Sequence, residues 1–244
     1  MAEIIVSLHS MAIDSLDKNA EVISGMFDSI AKKYDRMNHG MSLGIDRLWR
    51  RRFVRQFSLP AGAAVLDLAC GTGDLTKALA QKGYAVTGLD ISAEMMAVGK
   101  AKCHDIDPQP AFILGSAEQI PFADGTFDAV TIAFGLRNFD HRAQCLSEIH
   151  RVLKPGGWLA VLEFAVPRNR LWRACYLFYF KHAMRWVGRL VGSREAYGYL
   201  VDSVLAFPRY EALCTEFETA GFTEVRFRPY SGGIAVAYSA WTER

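Results

Sequence analysis

The chain has no apolar run near the ~18 residues needed to cross a bilayer as a helix. Its first residues, MAEIIVSLHSMAIDSLDKN, have neither a basic opening nor a long apolar stretch behind it. No secretory leader or membrane anchor is expected, and the expected compartment is the cytoplasm. A surplus of one charge is missing too: 28 Lys and Arg face 26 Asp and Glu, for a formal net charge of +2. That balance lacks the basic footprint of a dedicated nucleic-acid binder, so a small or neutral substrate is expected. Cysteine is sparse. Cys70, Cys103, Cys145, Cys175 and Cys214 form neither a CxxC pair nor a Cys/His cluster, which leaves no zinc-ligand spacing and no disulfide framework. Repeats and low-complexity segments are also missing. The 244 residues present suffice for one large domain with a substantial core.

What is there is a regular alternation. Residues 20–33 set Val22, Ile23, Met26, Phe27 and Ile30 at helical spacing, and residues 45–57 repeat that amphipathic pattern, so two helices precede the first strand. Apolar strands are then predicted at 64–70, 84–90, 111–116, 126–135 and 158–164. Helices fall between them at 75–81, stopped by Gly83, at 91–104 with Ser92 as N-cap, and at 141–153 before Lys154-Pro155-Gly156-Gly157. Strands alternating with helices predict an α/β fold with a parallel sheet and right-handed crossovers. Two further strands, 224–230 and 234–241, joined by Ser231-Gly232-Gly233, predict an antiparallel hairpin at one end of that sheet. Residues from about 168 to 207 are aromatic and basic and too many for a plain loop. They read equally as packing helices or as an insertion covering a substrate.

The turn after the first strand runs Asp67-Leu68-Ala69-Cys70-Gly71-Thr72-Gly73. Its glycines let backbone approach a ligand closely, and the helix that follows offers free N–H groups. Asp90 ends the second strand, 23 positions after Asp67, where a carboxylate can accept from both hydroxyls of a ribose. A dinucleotide site wants G-x-G-x-x-G/A, and Thr76 occupies the sixth position. An acid at Asp67 sits awkwardly beside phosphates but suits the ammonium and sulfonium of S-adenosylmethionine.

In this order, VLDLACGTGDLT, GLDISAEMM, GSAEQIPFADGTFDAVTIAFGLRN and EIHRVLKPGGWLAVLEF resemble the successive motifs of class I S-adenosylmethionine-dependent methyltransferases. More narrowly, YDRMNHGMSLGIDRLWRR, FGLRN, RVLKPGGWLAVLEF and SGGIAVAY resemble the UbiE-type ubiquinone/menaquinone C-methyltransferases, from about Met26 to the C-terminus. The resemblance implies a Rossmann-like fold with a seven-stranded, mostly parallel sheet, a C-terminal antiparallel hairpin and helices on both faces. It implies S-adenosylmethionine as cofactor, no metal, and C-methylation of a polyprenylated quinol. Demethylmenaquinol is the leading acceptor, and a methoxybenzoquinol of ubiquinone synthesis or another small aromatic is the alternative. A non-catalytic subunit of a quinone-synthesis complex is the reading of a different class. Carried over by position, Asp67, Gly71, Thr72, Gly73, Asp90, Ile91, Ser116, Ala117 and Ala133 are expected at the cofactor. The chain departs from the family pattern at several points. Ser116 stands where a longer Asp or Asn is frequent, Ala133 where a serine is expected, Asp46 and Tyr238 where histidines are usual, and Ala165 where serine is usual.

Methyl transfer from sulfonium to carbon is an in-line displacement, helped mainly by alignment and exclusion of water. The ring carbon becomes nucleophilic as an adjacent hydroxyl gives up its proton, so a proton acceptor or a fixed cation is needed. Arg137, just past the fourth strand, is the expected cation, since open α/β sheets place ligands at the carboxyl ends of their strands. Tyr34 is expected beside the cofactor and Asp35 as proton acceptor, within a helical lid formed by residues 1–60 over a cofactor-binding domain at 61–244. Leu48, Trp49 and Phe53 are expected to face the core, and Arg47, Arg50, Arg51 and Arg52 to form a solvated face. In the aromatic stretch, Arg173, Lys181, Arg185 and Arg189 lie among apolar residues from Trp172 to Trp186. That composition fits an interfacial helix, peripheral to the inner face of the membrane, and equally a homodimer surface. His182 is expected to be a packed or surface residue.

Overall fold

Strand β1 (Ala64–Leu68) reads AVLDL and buries four of its five residues, a continuous run that marks a parallel strand covered on both faces. It pairs in parallel with β2 (Ala85–Asp90) and with β4 (Phe127–Ala133). Outward from these lie β3 (Ala111–Leu114) and β5 (Leu153–Phe164), also parallel. Strands β6 (Thr223–Tyr230) and β7 (Ala235–Trp241) complete a seven-stranded sheet of order β3-β2-β1-β4-β5-β7-β6, with β7 antiparallel to both of its neighbours. The computed structural model describes residues 19–180 and 194–244. Expectations for Lys181, His182, Arg185, Trp186 and Arg189 lie outside the described residues.

The helices in chain order are α1 (Ala20–Met41), α2 (Ile45–Val54), α3 (Asp74–Ala80), α4 (Ala93–Lys102), α5 (Arg142–Val152), α6 (Arg170–Phe178), α7 (Arg194–Ala206) and α8 (Glu211–Thr219). Successive strand residues face opposite sides, and the two core layers follow that alternation. Leu66, Leu68, Val130 and Val161 pack with Cys145 and Ile149 of α5 and Phe217 of α8. Val65, Val86, Ala129 and Ala160 pack with Trp49 and Phe53 of α2 and Leu79 of α3. A third cluster, Ile30, Met37, Tyr176, Phe180, Val201 and Val204, joins α1 to α6 and α7. The aromatic stretch is therefore helical where described, and those helices both pack on α1 and, as shown below, line a cavity. Among the described residues no helix is long and apolar enough to cross a membrane.

Several boundaries differ from expectation for physical reasons. Helix α1 runs to Met41, well past residue 33, because Ile23, Phe27, Ile30, Tyr34 and Met37 continue one stripe at alternating four- and three-residue steps. Val22 lies off that stripe and is exposed, as is Leu48 on α2, where the buried set is Asp46, Trp49, Phe53 and Val54. Strand β5 begins at Leu153, before the predicted 158. Leu153 pairs with Phe127 and Trp158 with Ala129, so the intervening Lys154-Pro155-Gly156-Gly157 is accommodated as an irregularity within the ladder. Ser92 caps α4 as predicted, accepting from Met95 N at 3.1 Å.

Candidate active site

The two glycines of the turn after β1 serve different ends. Gly71 has φ 51°, and a Cβ built on it would meet nothing within 4 Å. Its N–H donates to Asp90 Oδ2 at 2.7 Å. Gly73 has φ 75°, and a Cβ there would stand 3.1 Å from Gly99 Cα of α4, so this glycine lets α3 and α4 approach. Asp90, at the end of β2, also accepts Ser92 N at 2.9 Å. Burial pushes its carboxyl up against those backbone donors, with a net rise. Both oxygens are fixed in place while keeping further lone pairs for a ligand.

These residues open onto a cleft at the carboxyl ends of β1, β2 and β4. That is the crevice where the strand order reverses and where ligands of open α/β sheets sit. Of the expected cofactor positions, Gly71, Asp90, Ile91, Ser116, Ala117 and Ala133 line it, as does Tyr34 of α1. Ile23, Phe27, Met95, Phe134 and Asn138 line it too and were not anticipated. Ile23 and Phe27 arrive because Ser24 Oγ donates to Ile91 O at 3.1 Å and Ser92 Oγ to Asp28 Oδ1 at 2.5 Å, fixing α1 across the cleft.

Asp67, Thr72, Gly73 and Asp35 stand behind the wall, not on it. Asp67 is fully buried and accepts Thr76 Oγ1 at 2.6 Å. Burial pushes its carboxyl up to about 7, the Thr76 hydrogen bond opposing and the Asp90 charge adding to the rise. Asp35, expected as a proton acceptor, is turned to another use. It accepts from Thr72 Oγ1 at 2.6 Å and pairs with Lys102 Nζ at 2.5 Å. Lys102 reaches Asp74 at 2.7 Å, and Arg50 lies 3.7 Å from Asp74 and 2.5 Å from Asp46. Asp46 in turn accepts Ser42 Oγ at 2.5 Å and contacts His39 Nδ1 at 2.7 Å. Burial pushes the Asp46 carboxyl up, but Ser42 and Arg50 outweigh it and hold it below its ordinary value. This chain of charges ties α1 and α2 to the glycine turn. It also corrects the reading of Arg50, which is partly buried and paired while Arg47, Arg51 and Arg52 are exposed.

A second, larger cavity adjoins the first. Its walls are mainly apolar: Ile30 and Met37 of α1, Trp49 of α2, Phe164 at the end of β5, Tyr176 of α6, Phe180 and Leu200. Phe27, Tyr34 and Phe134 line both cavities and form the partition. Phe134 takes φ 60°, rare for a bulky residue and a mark of functional sites. It is held by its N–H to Leu162 O at 2.7 Å and by its ring 4.4 Å from that of Phe164.

Arg137 enters this apolar wall almost fully buried. Its Nη1 bonds the Phe134 carbonyl and, at 3.0 Å, Glu163 Oε1. Glu163, 0 % exposed, also accepts Arg137 N at 3.2 Å and Phe164 N at 2.9 Å. The arginine is thus both ion-paired and at the cavity. Glu163 was missed, although an acid near the carboxyl end of a buried parallel strand is a signal in itself. Among the family departures, Asp46 lines the apolar cavity, whereas Ala165 and Tyr238 lie in the core, Tyr238 Oη accepting Tyr210 N at 2.8 Å. Among the described residues no group of three or more His, Cys, Asp or Glu could hold a metal.

The sequence profile of the ubiE/COQ5 methyltransferase family matches residues 15–242. A ubiquinone/menaquinone biosynthesis C-methyltransferase UbiE of Geotalea uraniireducens is 42% identical over 228 residues, covering 91% of this chain and 97% of the relative. A demethylmenaquinone methyltransferase of Paenarthrobacter aurescens is 41% identical over 227 residues, covering 93% and 88%. In fold, the chain is similar to phosphoethanolamine N-methyltransferase 2 of Haemonchus contortus in complex with S-adenosyl-L-methionine, with a TM-score of 0.62 at 16% identity over 80% of this chain and 52% of that one. It is also similar to a SAM-dependent methyltransferase of Aquifex aeolicus, with a TM-score of 0.57 at 18% identity over 79% and 88%.

Proposed function

This chain belongs to the ubiE/COQ5 methyltransferase family, and from that premise we propose that it methylates a ring carbon of a polyprenylated quinol, demethylmenaquinol foremost. The observation that carries this reading is the pair of adjoining cavities. One meets a glycine turn and a fixed carboxylate; the other is apolar and contains a buried arginine. A small polar acceptor would need no such apolar volume, whereas a fused aromatic ring with an isoprenoid tail would fill it.

S-adenosylmethionine supplies the methyl group on a sulfonium. The residues of the first cavity fit it: Asp90 would accept the ribose hydroxyls, Gly71 leaves open space against the turn, and Ser116 and Ala117 would flank the adenine. Asp67, Thr72 and Gly73 act from behind by fixing the turn. Across the partition, Tyr34, Phe27 and Phe134 keep water from the line between donor and acceptor. A guanidinium offers donors and a fixed charge but no acceptor, so the part of Arg137 is electrostatic. It stabilises the negative charge that grows on the acceptor's oxygen as the hydroxyl proton leaves to water, and Glu163 sets its orientation.

Helices α1 and α2 serve as the lid, with α1 contributing to both cavities. Near the mouth of the apolar cavity, Leu43, Leu171 and Trp172 are exposed, with Arg170 and Arg173 on the same helix. That combination supports peripheral contact with an anionic membrane surface, the source of a prenylated substrate. The test offers the purified chain S-adenosylmethionine with demethylmenaquinol and the ubiquinone-pathway quinol side by side, with mass detection of the ring. Methylation of the naphthoquinol is expected; methylation of neither would overturn the reading.

A further inference from the structure

Buried polar atoms without a hydrogen-bond partner are rare in folded proteins, and each asks for a reason. Among the described residues four such side-chain atoms are Thr131 Oγ1, Arg137 Nε, Trp158 Nε1 and Tyr176 Oη. Thr131 sits inside β4, and Trp158 stacks on Trp241 at 6.1 Å, away from both cavities. The other two, Arg137 and Tyr176, line the same apolar cavity. Tyr176 is 6% exposed and stacked on Phe180 at 5.1 Å, which fixes its ring. Burial pushes its hydroxyl up, with the Arg137 charge pulling the other way, so the group stays protonated and can donate.

We propose that Tyr176 is a substrate-contacting residue whose hydroxyl donates a hydrogen bond to a ring oxygen of the aromatic acceptor, in the same apolar cavity wall as the unpartnered Arg137 Nε. The inference rests on the reading of this cavity as the acceptor site and adds to it a specificity element. A hydroxylated ring offers an acceptor to donors that no protein group satisfies. A ring without oxygen leaves them unpaired at the cost of binding, the asymmetry by which polar pockets reject analogues lacking a hydroxyl. Tyr199 differs, because its hydroxyl already donates to Asn138 Oδ1 at 3.2 Å.

The test is Tyr176→Phe in the full chain, with 1-naphthol and naphthalene as probes and binding followed by calorimetry. The variant should bind 1-naphthol about 3- to 10-fold more weakly than wild type, the range of one neutral hydrogen bond, while naphthalene binds both proteins alike. Cofactor affinity should stay unchanged. The unliganded variant should melt no lower than wild type, since an unpaired hydroxyl has been removed without opening a cavity. Equal affinity of both proteins for 1-naphthol, or no binding of 1-naphthol to wild type, overturns the proposal. A lowered melting point with equal losses for both probes also overturns it, marking a structural tyrosine. If wild type methylates neither quinol yet the naphthol contrast holds, the acceptor assignment fails while the Tyr176 contact stands.

Discussion

Replacing Glu163 by Gln probes a buried charged pair on which the fold and the proposed chemistry both depend. Glu163 Oε1 receives Arg137 Nη1 and Phe164 N, and Oε2 receives Arg137 N. A glutamine can keep its carbonyl at the first position, but its amino group then faces the Arg137 N–H. The guanidinium also loses its anionic partner while remaining almost fully buried. Removing one member of a buried ion pair costs about 3–5 kcal/mol, a large part of the ~5–15 kcal/mol that holds a domain folded. For a chain of this length that lowers the thermal midpoint by about 6–20 °C. Glu163→Gln combined with Arg137→Met removes both charges. It should recover about 2 kcal/mol of the loss, leaving about 1–3 kcal/mol for the unpaired backbone N–H at position 137. Thermal and urea unfolding would be read beside turnover and cofactor affinity. The double variant should approach wild-type stability and bind cofactor normally, yet turn over far more slowly, because the cation is gone. A double variant with near wild-type turnover would refute the catalytic reading of Arg137. A single Glu163→Gln variant as stable as wild type would refute the accounting of the pair.

Two further perturbations test the cofactor side. Asp90→Ala removes the carboxylate that fixes Gly71 and Ser92 and should weaken S-adenosylmethionine binding about 10- to 100-fold in calorimetry; unchanged affinity would sink the assignment of the cleft. Asp67 has a folded-state value of about 7 against an ordinary 3.8, so the native chain keeps a proton that the unfolded chain has lost between those values. Its contribution is full below about pH 4 and is lost as pH rises through about 7. Asp67→Asn keeps an acceptor for Thr76 and should flatten the fall in urea midpoint between pH 5 and pH 8; equal slopes in both proteins would refute it.

The sheet was legible because its strands announce themselves twice, by apolar runs and by glycine-rich stops. Helix α1 was less so. The residues from Tyr34 to Met41 look polar one by one, and only the stripe Ile23, Phe27, Ile30, Tyr34 and Met37 shows that the helix continues. Missing that continuation had a consequence for Asp35. With the predicted helix ending at residue 33, the direction of its carboxylate was left open; on a continuous helix one position after Tyr34, it must point roughly 100° away from it. Tyr34 therefore faces the cavities while Asp35 faces Lys102 and Thr72. Thr72 and Gly73 carry a similar lesson, since a motif names the residues that shape a turn without saying which of them touch what the turn holds.

Pairings made by distant residues are what no local pattern encodes. Glu163 and Arg137 are far apart in sequence and meet only because β4 and β5 are neighbours in parallel register, Ala133 opposite Leu162. The register delivers the acid of one strand to the loop that follows the other. The same geometry explains why the cation sits beside an apolar cavity. An arginine is kept there when a buried carboxylate compensates its charge, and the last residues of β5, paired with the end of β4, present one. A buried cation held by one carboxylate, with Nε unpartnered by any protein group, keeps a charge that is only partly compensated beside the cavity. A second carboxylate would stabilise the resting protein and cancel that charge, so the incomplete pairing is what the proposed chemistry requires.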